Sequence, residues 1–325
     1  MLFHTESLPV ELTRADAALD RIVTSSATIE RLGRGFIFTE GPIWRPREND
    51  LIFSDIPANS AFRWRPVSAN GSKTGDIELF RKPSGYWNTD LPPGAFLGSN
   101  GMTLDGKHRL VICEHSSGRV TRLEHDHSLT VLAATYDGKR LNSPNDCVHL
   151  SNGDLYFTDP PYGFVGMDDD PKKELDFCGV YRIRQGALQV LFKDQAVKRP
   201  NGLAFSPDEK VMYLSNSDPD RKIWMRFDVA DDGTLANGSV FADVTAQTAG
   251  GLPDGMKIDR EGTLYCTGPN GVWVFAPSGK HLGTIHFPEI PANLHWGDAD
   301  ARMLYVTART GLYRIHLGVP GIRPE

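Results

Sequence analysis

The chain repeats itself six times, and this repetition restricts its fold more than any other feature of its 325 residues. The copies begin "TEGPIWRPRENDLIFSD", "SNGMTLDGKHRLVICEH", "SPNDCVHLSNGDLYFTD", "RPNGLAFSPDEKVMYLSNS", "LPDGMKIDREGTLYCTG" and "ANLHWGDADARMLYVTA". Each copy reads as a loop with a polar residue, an apolar inner run, a turn, and a second run ending in a small polar residue. Most are followed by two further runs of strand character, as in "GVYRIRQGALQVLFKD" and "GVWVFAPSGKHLGTIHF". Abundant Gly and recurring Asn-Gly, Asn-Asp and Asp-Gly pairs mark tight turns between short strands. Four strands per unit, recurring every ~40–60 residues, is the pattern of a propeller blade. The expected fold class is therefore all-β: a six-bladed β-propeller with four-stranded antiparallel blades.

The sixth unit supplies only three strands, ending at "GLYRIHL", while "ATIERLG" (27–33) precedes the first unit and has no place within it. That segment is the expected outer strand of the sixth blade, so that the ring is closed by an N-terminal strand and a sheet edge is protected. Residues 27–325 then form one propeller domain. Residues 1–26 form an extension with a short helix, since "TRADAALDRIV" (13–23) carries the only clear helical periodicity.

A formal net charge of -6, with no Lys/Arg cluster interleaved with aromatics, argues against a nucleic-acid partner. The first residues, "MLFHTESLPVELTRADAALD", show neither an apolar core nor a cleavage pattern of a signal peptide, and no later stretch is apolar enough to span a bilayer. A cytoplasmic protein without a membrane partner is expected. Cys113, Cys147, Cys178 and Cys266 are far apart and form no C-x-x-C, so they read as buried free thiols.

Equivalent residues of successive inner strands converge on the axis of a propeller. At the head of the first inner strand, "FTEGPIW" sets Glu40 among Phe38, Ile43 and Trp44, where an ionised carboxylate needs a partner or a metal. The matching positions of the third, fourth and fifth units hold Asn145, Asn201 and Asp254, each beside Pro and followed by Gly or Asp. Taken singly, such residues satisfy backbone groups in turns. Four in register form a coordination set of mixed carboxylate and amide oxygens, which favours a hard cation such as Ca2+, with Zn2+, Mg2+ or Mn2+ as alternatives.

The stretches "FTEGPIW", "EHSSGRVTRLE", "GKRLNSPNDCV", "LYFTDPPYG", "RPNGLAFSPDEK", "LPDGMKID" and "GPNGVWVF" resemble the gluconolactonase family, which includes senescence marker protein and luciferin-regenerating enzyme. The resemblance runs from about residue 28 to about residue 317 and recurs at matching places in every blade. It implies a six-bladed, calcium-dependent lactonase acting on a small-molecule lactone such as D-glucono-1,5-lactone. It also implies metal ligation by Glu40, Asn201 and Asp254, with Asn145 either a ligand or a contact to substrate and metal-bound water. One position departs from the pattern. Mammalian members carry a sugar-contacting arginine two places before the blade-three asparagine, where this chain has Ser143, so sugar selectivity does not follow.

Two long loops fall on the face of the four ligands: "KPSGYWNTDLPPGAFLGSN" before the second unit and "PPYGFVGMDDDPKKELDFCG" inside the third. Tyr86, Trp87, Tyr162 and Phe164 are the expected pocket walls. His115, Tyr162 and His295 are candidate substrate contacts, with His295 heading the inner strand of the sixth blade. Asp168 to Asp170 lack EF-hand spacing and read as a loop tip. His125 and His127 lie in a polar hairpin with no third ligand and read as solvent-exposed. In the favoured mechanism the metal polarises the lactone carbonyl and Asp254 assists attack by water as general base. The alternatives are a metal-dependent phosphotriesterase-like hydrolase, with a similar ligand set, and a non-catalytic binding propeller, which needs no such set. No G-x-S-x-G supports serine-hydrolase chemistry.

Overall fold

The inner strand Thr39–Arg45 pairs antiparallel with Asp50–Asp55, which pairs with Ser60–Ala69 and then Ser72–Arg81. The same order recurs around the ring, with inner strands Ser99–Leu104, Cys147–His149, Pro200–Phe205, Met256–Ile258 and Pro291–Gly297. The structure is a computed structural model that describes residues 2–69, 72–88 and 95–323. Six antiparallel blades form a propeller ring. The centre of the blade-two loop, residues 89–94, lies outside the described residues.

Both faces of a blade pack against its neighbours, so the strands read as continuous apolar runs instead of an alternation. The buried apolar residues fall into six clusters, one at each blade interface. Ile43 and Ile52 of the first blade meet Met102 and Ile112 of the second. Val111 and Cys113 meet Cys147 and Phe157 of the third blade. At the closing interface Trp44 stacks on Tyr305 at 5.4 Å, joining the first blade to the sixth. All four cysteines are free and buried within this packing.

The ring closes as the repeat count requires. Ile29–Arg34 pairs antiparallel with Gly311–His316, setting Glu30 opposite Arg314 and Ile29 opposite Ile315. The Arg314 Nε donates to Glu30 Oε2 at 2.6 Å, in a pair that is almost wholly buried. The closing strand is thus fixed by a charge pair as well as by a ladder of main-chain bonds.

The N-terminal extension is more strand than helix. Leu2–His4 adds to the outer edge of the first blade, Glu6–Leu8 to the closing strand Ile29–Arg34, and Glu11–Arg14 to His281–His286 of the fifth blade. Helix is confined to the single turn Leu19–Ile22, whose two terminal residues sit in the apolar cluster between blades five and six. The periodicity of residues 13–23 overstates the helix because an exposed sheet edge captures residues 11–14. The edges that a propeller leaves exposed on three blades are covered by this one strap.

Removing Glu30 strands the Arg314 guanidinium in the interface, and the loss of one partner of a buried pair costs about 3–5 kcal/mol. Glu30→Ala should lose about that much stability in guanidinium unfolding. Glu6→Ala, which breaks an exposed pair with Arg31, should lose less than about 1 kcal/mol.

Candidate active site

Inner strands begin at one end of the ring, and a residue within two positions of the start of each one faces a cavity of about 520 Å³ over the axis. Glu40, Asn100, Asn145, Asn201, Asp254 and Ala292 reach it, one from each blade. Bulges in the strand pairing sit at these positions in four blades, between Glu40 and Ile43, Ser99 and Met102, Pro200 and Leu203, and Pro291 and Asn293. A bulge re-aims the side chain that carries it, here toward the axis. The next residue is Gly in four of the six blades, and a Cβ on Gly41 or Gly202 would come within 1.9 Å of the Asn100 carbonyl oxygen or 2.2 Å of the Asp254 carbonyl oxygen. Only glycine lets neighbouring inner strands approach so closely.

Four of the six cavity-facing residues are held through their main chain from the blade before. Ser54 Oγ donates to the Asn100 carbonyl, Thr158 Oγ1 to that of Asn201, Ser215 Oγ to that of Asp254, and Thr267 Oγ1 to that of Ala292, at 2.7–3.0 Å. These hydroxyls are the small polar residues that close the second run of the repeat. The residues that follow them, Asp55, Asp159 and Asn216, accept main-chain N–H groups of Ile37 and Phe38, of Asn142, and of Arg199, in the loop that enters their own blade.

The amides turn their nitrogens to the scaffold. Asn100 and Asn145 both direct Nδ2 at His115 Nε2, at 2.9 and 3.2 Å. The His115 Nδ1 faces the Phe96 carbonyl, so Nδ1 carries the proton and Nε2 accepts. Burial lowers the His115 pKa to about 4, and the ring is neutral. Asn201 Nδ2 donates to Ser217 Oγ at 3.1 Å, and Tyr162 closes the chain at 2.6 Å from the same oxygen. Among the described residues, the buried Oδ1 atoms of Asn100 and Asn201 have no hydrogen-bond partner. Orphaned amide oxygens at a cavity floor suit a cation.

The carboxylates point to the same chemistry. Burial, then the negative charge of Asp146, raises the Glu40 pKa to about 7. Burial, then the charges of Glu40 and Asp146, raises Asp254 well above the usual carboxylate range. Glu40 Oε2 accepts from Gly41 N and from Asn293 Nδ2 at 2.9 Å. Asn293 reaches Asp146 as well, at 3.5 Å. Among the described residues no three His, Cys, Asp or Glu side chains are grouped to hold a metal. An ion at this floor would rest on two carboxylates and on amide oxygens, a donor set of hard-cation character.

The structure therefore brings together Glu40, Asn145, Asn201 and Asp254, with His115 and Tyr162 at their edge. It does not bring His295 to them. That side chain lies three residues beyond Ala292, roughly 10 Å along the strand, and lines a separate cavity at the opposite end of the channel with Lys257. Its Nδ1 lies 2.7 Å from the Trp296 carbonyl, and burial lowers its pKa to about 3. His115 and Tyr162 do line the floor cavity, yet their polar atoms are engaged in aiming the three amides. Of the expected walls, Tyr162 and Phe164 line the cavity, while Tyr86 and Trp87 do not. Trp87 instead donates Nε1 to Glu114 at 3.2 Å.

Asn100 is the floor residue that sequence reasoning missed, although "SNGM" carries the same Asn-Gly step as "RPNG". Ser143 is buried and pins the loop above it: its hydroxyl donates to the Pro160 carbonyl and accepts from Gly163 N at 2.8 Å. The acidic run holds that same loop, with Asp168 paired to Arg199 and Lys173. His125 and His127 are exposed in their hairpin. No helix among the described residues is long and apolar enough to cross a membrane.

Residues 38–310 match the family model described as the SMP-30/Gluconolactonase/LRE-like region. A gluconolactonase of Zymomonas mobilis subsp. mobilis is 35% identical over 284 residues, covering 85% of this chain and 77% of that protein. The structure of a gluconolactonase from Xanthomonas campestris superposes with a TM-score of 0.79 at 30% identity, over 96% of this chain and 97% of the other. A calcium-binding protein, regucalcin, from Agrobacterium tumefaciens gives a TM-score of 0.67 over 90% of this chain and 95% of the other, and at 18% identity speaks for the fold alone.

Thr158→Val keeps the shape of the side chain but leaves the buried Asn201 carbonyl without its hydroxyl, and an unsatisfied buried acceptor costs about 1–3 kcal/mol. Urea unfolding should register that loss, whereas Thr158→Ser, which keeps the donor, should fall clearly short of it.

Proposed function

The chain belongs to the SMP-30/gluconolactonase/LRE-like family, and we propose that it hydrolyses a lactone at the cavity floor formed by Glu40, Asn145, Asn201 and Asp254. The observation that carries this reading is the convergence of two buried carboxylates with the amides of Asn100 and Asn201, whose oxygens lack partners among the described residues. Such a floor binds a cation and the polarised oxygen of a substrate, and a scaffold for holding another protein has no use for it.

The four side chains would hold a divalent cation, calcium by the match of mixed carboxylate and amide oxygens, and the bound ion supplies Lewis-acid polarisation of the lactone carbonyl. Asp254 is the proton acceptor. A water molecule adds its oxygen to the carbonyl carbon as its proton passes to an Asp254 carboxylate oxygen. The ring C–O bond then breaks, and the same proton passes to the departing ring oxygen, leaving a hydroxy acid. Glu40, anchored through Oε2 by Asn293 and Gly41, acts as a fixed ligand and not as a base. His115 and the Tyr162–Ser217 pair keep the amide oxygens aimed, so that little reorganisation is left for the reaction itself.

The reading is tested by following proton release from D-glucono-1,5-lactone after chelator treatment, with and without added calcium. Hydrolysis at the spontaneous rate under every condition would remove it for that lactone. The two carboxylates should separate by role. Glu40→Gln should regain part of its activity as calcium is raised. Asp254→Asn should stay depressed by about two to four orders of magnitude at saturating calcium, the usual worth of a general base. Near-normal turnover of Asp254→Asn would make that residue a ligand only.

A further inference from the structure

Polar groups and apolar groups are segregated by depth in this cavity. The floor is polar, built from the residues that begin the inner strands. The loops above it carry Phe38, Phe96, Phe164, Val165, Leu252 and Ile290. They arrive from five different blade loops, so the apolar character belongs to the collar as a whole. Phe38 and Phe96 meet edge to face at 5.0 Å, joining the loops that enter the first and second blades. Phe164 is backed by the Arg140 guanidinium, 4.9 Å from its ring. Arg140 is itself spent on the carbonyls of Ser116, Leu141 and Asn142.

Among the described residues, the polar side chains near the collar are few. The Tyr162 hydroxyl is committed to Ser217, Ser143 is turned into the loop it pins, and Arg309 stands at the rim with its guanidinium 5.8 Å from the Phe38 ring. At the mouth, Val165 is 68% exposed. Apolar side chains set around a concave mouth mark a binding surface. A volume of about 520 Å³ is also in the range that encloses a drug-sized ligand.

On the premise that the floor hydrolyses lactones, we propose that the preferred substrate is a lactone carrying an apolar substituent, an alkyl chain or aromatic ring, and not a polyhydroxylated sugar lactone. The ester group sits at the polar floor and the substituent fills the collar. A sugar lactone would present most of its hydroxyls to apolar walls, with Arg309 at the rim the one cationic donor among the described lining residues, and unpaired polar groups are what a binding site penalises. Apolar walls reject an added hydroxyl only modestly, by about a hundredfold at most. The preference should therefore be one of degree.

The test compares kcat/KM for δ-decalactone, a six-membered lactone with a pentyl chain, with that for D-glucono-1,5-lactone in the calcium-supplied protein. We expect δ-decalactone to be favoured by about ten- to a hundredfold. Leu252→Asn and Phe164→Ala, each checked for retained fold by circular dichroism, should reduce that ratio by about tenfold, chiefly through KM for δ-decalactone. Equal or better turnover of the sugar lactone would overturn the proposal while leaving the lactonase reading intact. A ratio unchanged in both folded variants would overturn the role given to the collar. Acceleration of neither lactone would remove the lactonase reading and this proposal with it.

Discussion

The hydroxyl that four of the six blades lend to the next is the interaction on which the site depends. Ser54, Thr158, Ser215 and Thr267 each donate to the main-chain carbonyl of the cavity-facing residue one blade on. An inner strand is therefore located by its neighbour as well as by its own sheet. Such bonds are worth only about 1 kcal/mol each when made, and more when a buried carbonyl is left without one. Their repetition fixes the depth at which Asn100, Asn201 and Asp254 sit, and the glycines at Gly41 and Gly202 allow the strands close enough for the bonds to form.

What the ring holds is electrostatically unfavourable by itself. Glu40, Asp146 and Asp254 share the axis, each raised in pKa by burial, and the first and last raised further by their like-charged neighbours. Lys257 is the cationic group whose charge reaches Glu40 and Asp146, and it belongs to the opposite cavity. The interfaces between blades, with Trp44 stacked on Tyr305 at the closure and Glu30 paired to Arg314 behind it, supply the rigidity that keeps these charges together. A stable scaffold is what keeps buried like charges together.

The propeller was legible because repetition needs no alignment with other chains: six similar segments must adopt six similar structures. Glu40, Asn145, Asn201 and Asp254 were legible for the same reason, as oxygen-bearing residues in register. Asn100 escaped because it lacks the preceding Pro that marked three of the others. Asn293 and Asp146 escaped because they stand one residue deeper, where four blades carry Gly and register alone gives no chemical signal. His295 was misplaced by treating the head of an inner strand as a point, when three residues of extended chain move a side chain from one cavity to another. The strands of the N-terminal extension were illegible because edge pairing is decided by which sheet edges are free, a property of the assembled ring and not of the segment.

The central claim, that the inner-strand heads of this propeller form one divalent-cation site, is tested most directly by crystals of the protein grown with Mn2+ as a calcium substitute and measured at an energy where manganese scatters anomalously. The account predicts an anomalous peak at the cavity floor, within coordination distance of side-chain oxygens of Glu40, Asn145, Asn201 and Asp254, that fades in crystals of Glu40→Gln at the same Mn2+ concentration. An empty floor in well-ordered crystals, or a peak confined to the opposite cavity beside His149 and His295, would contradict it.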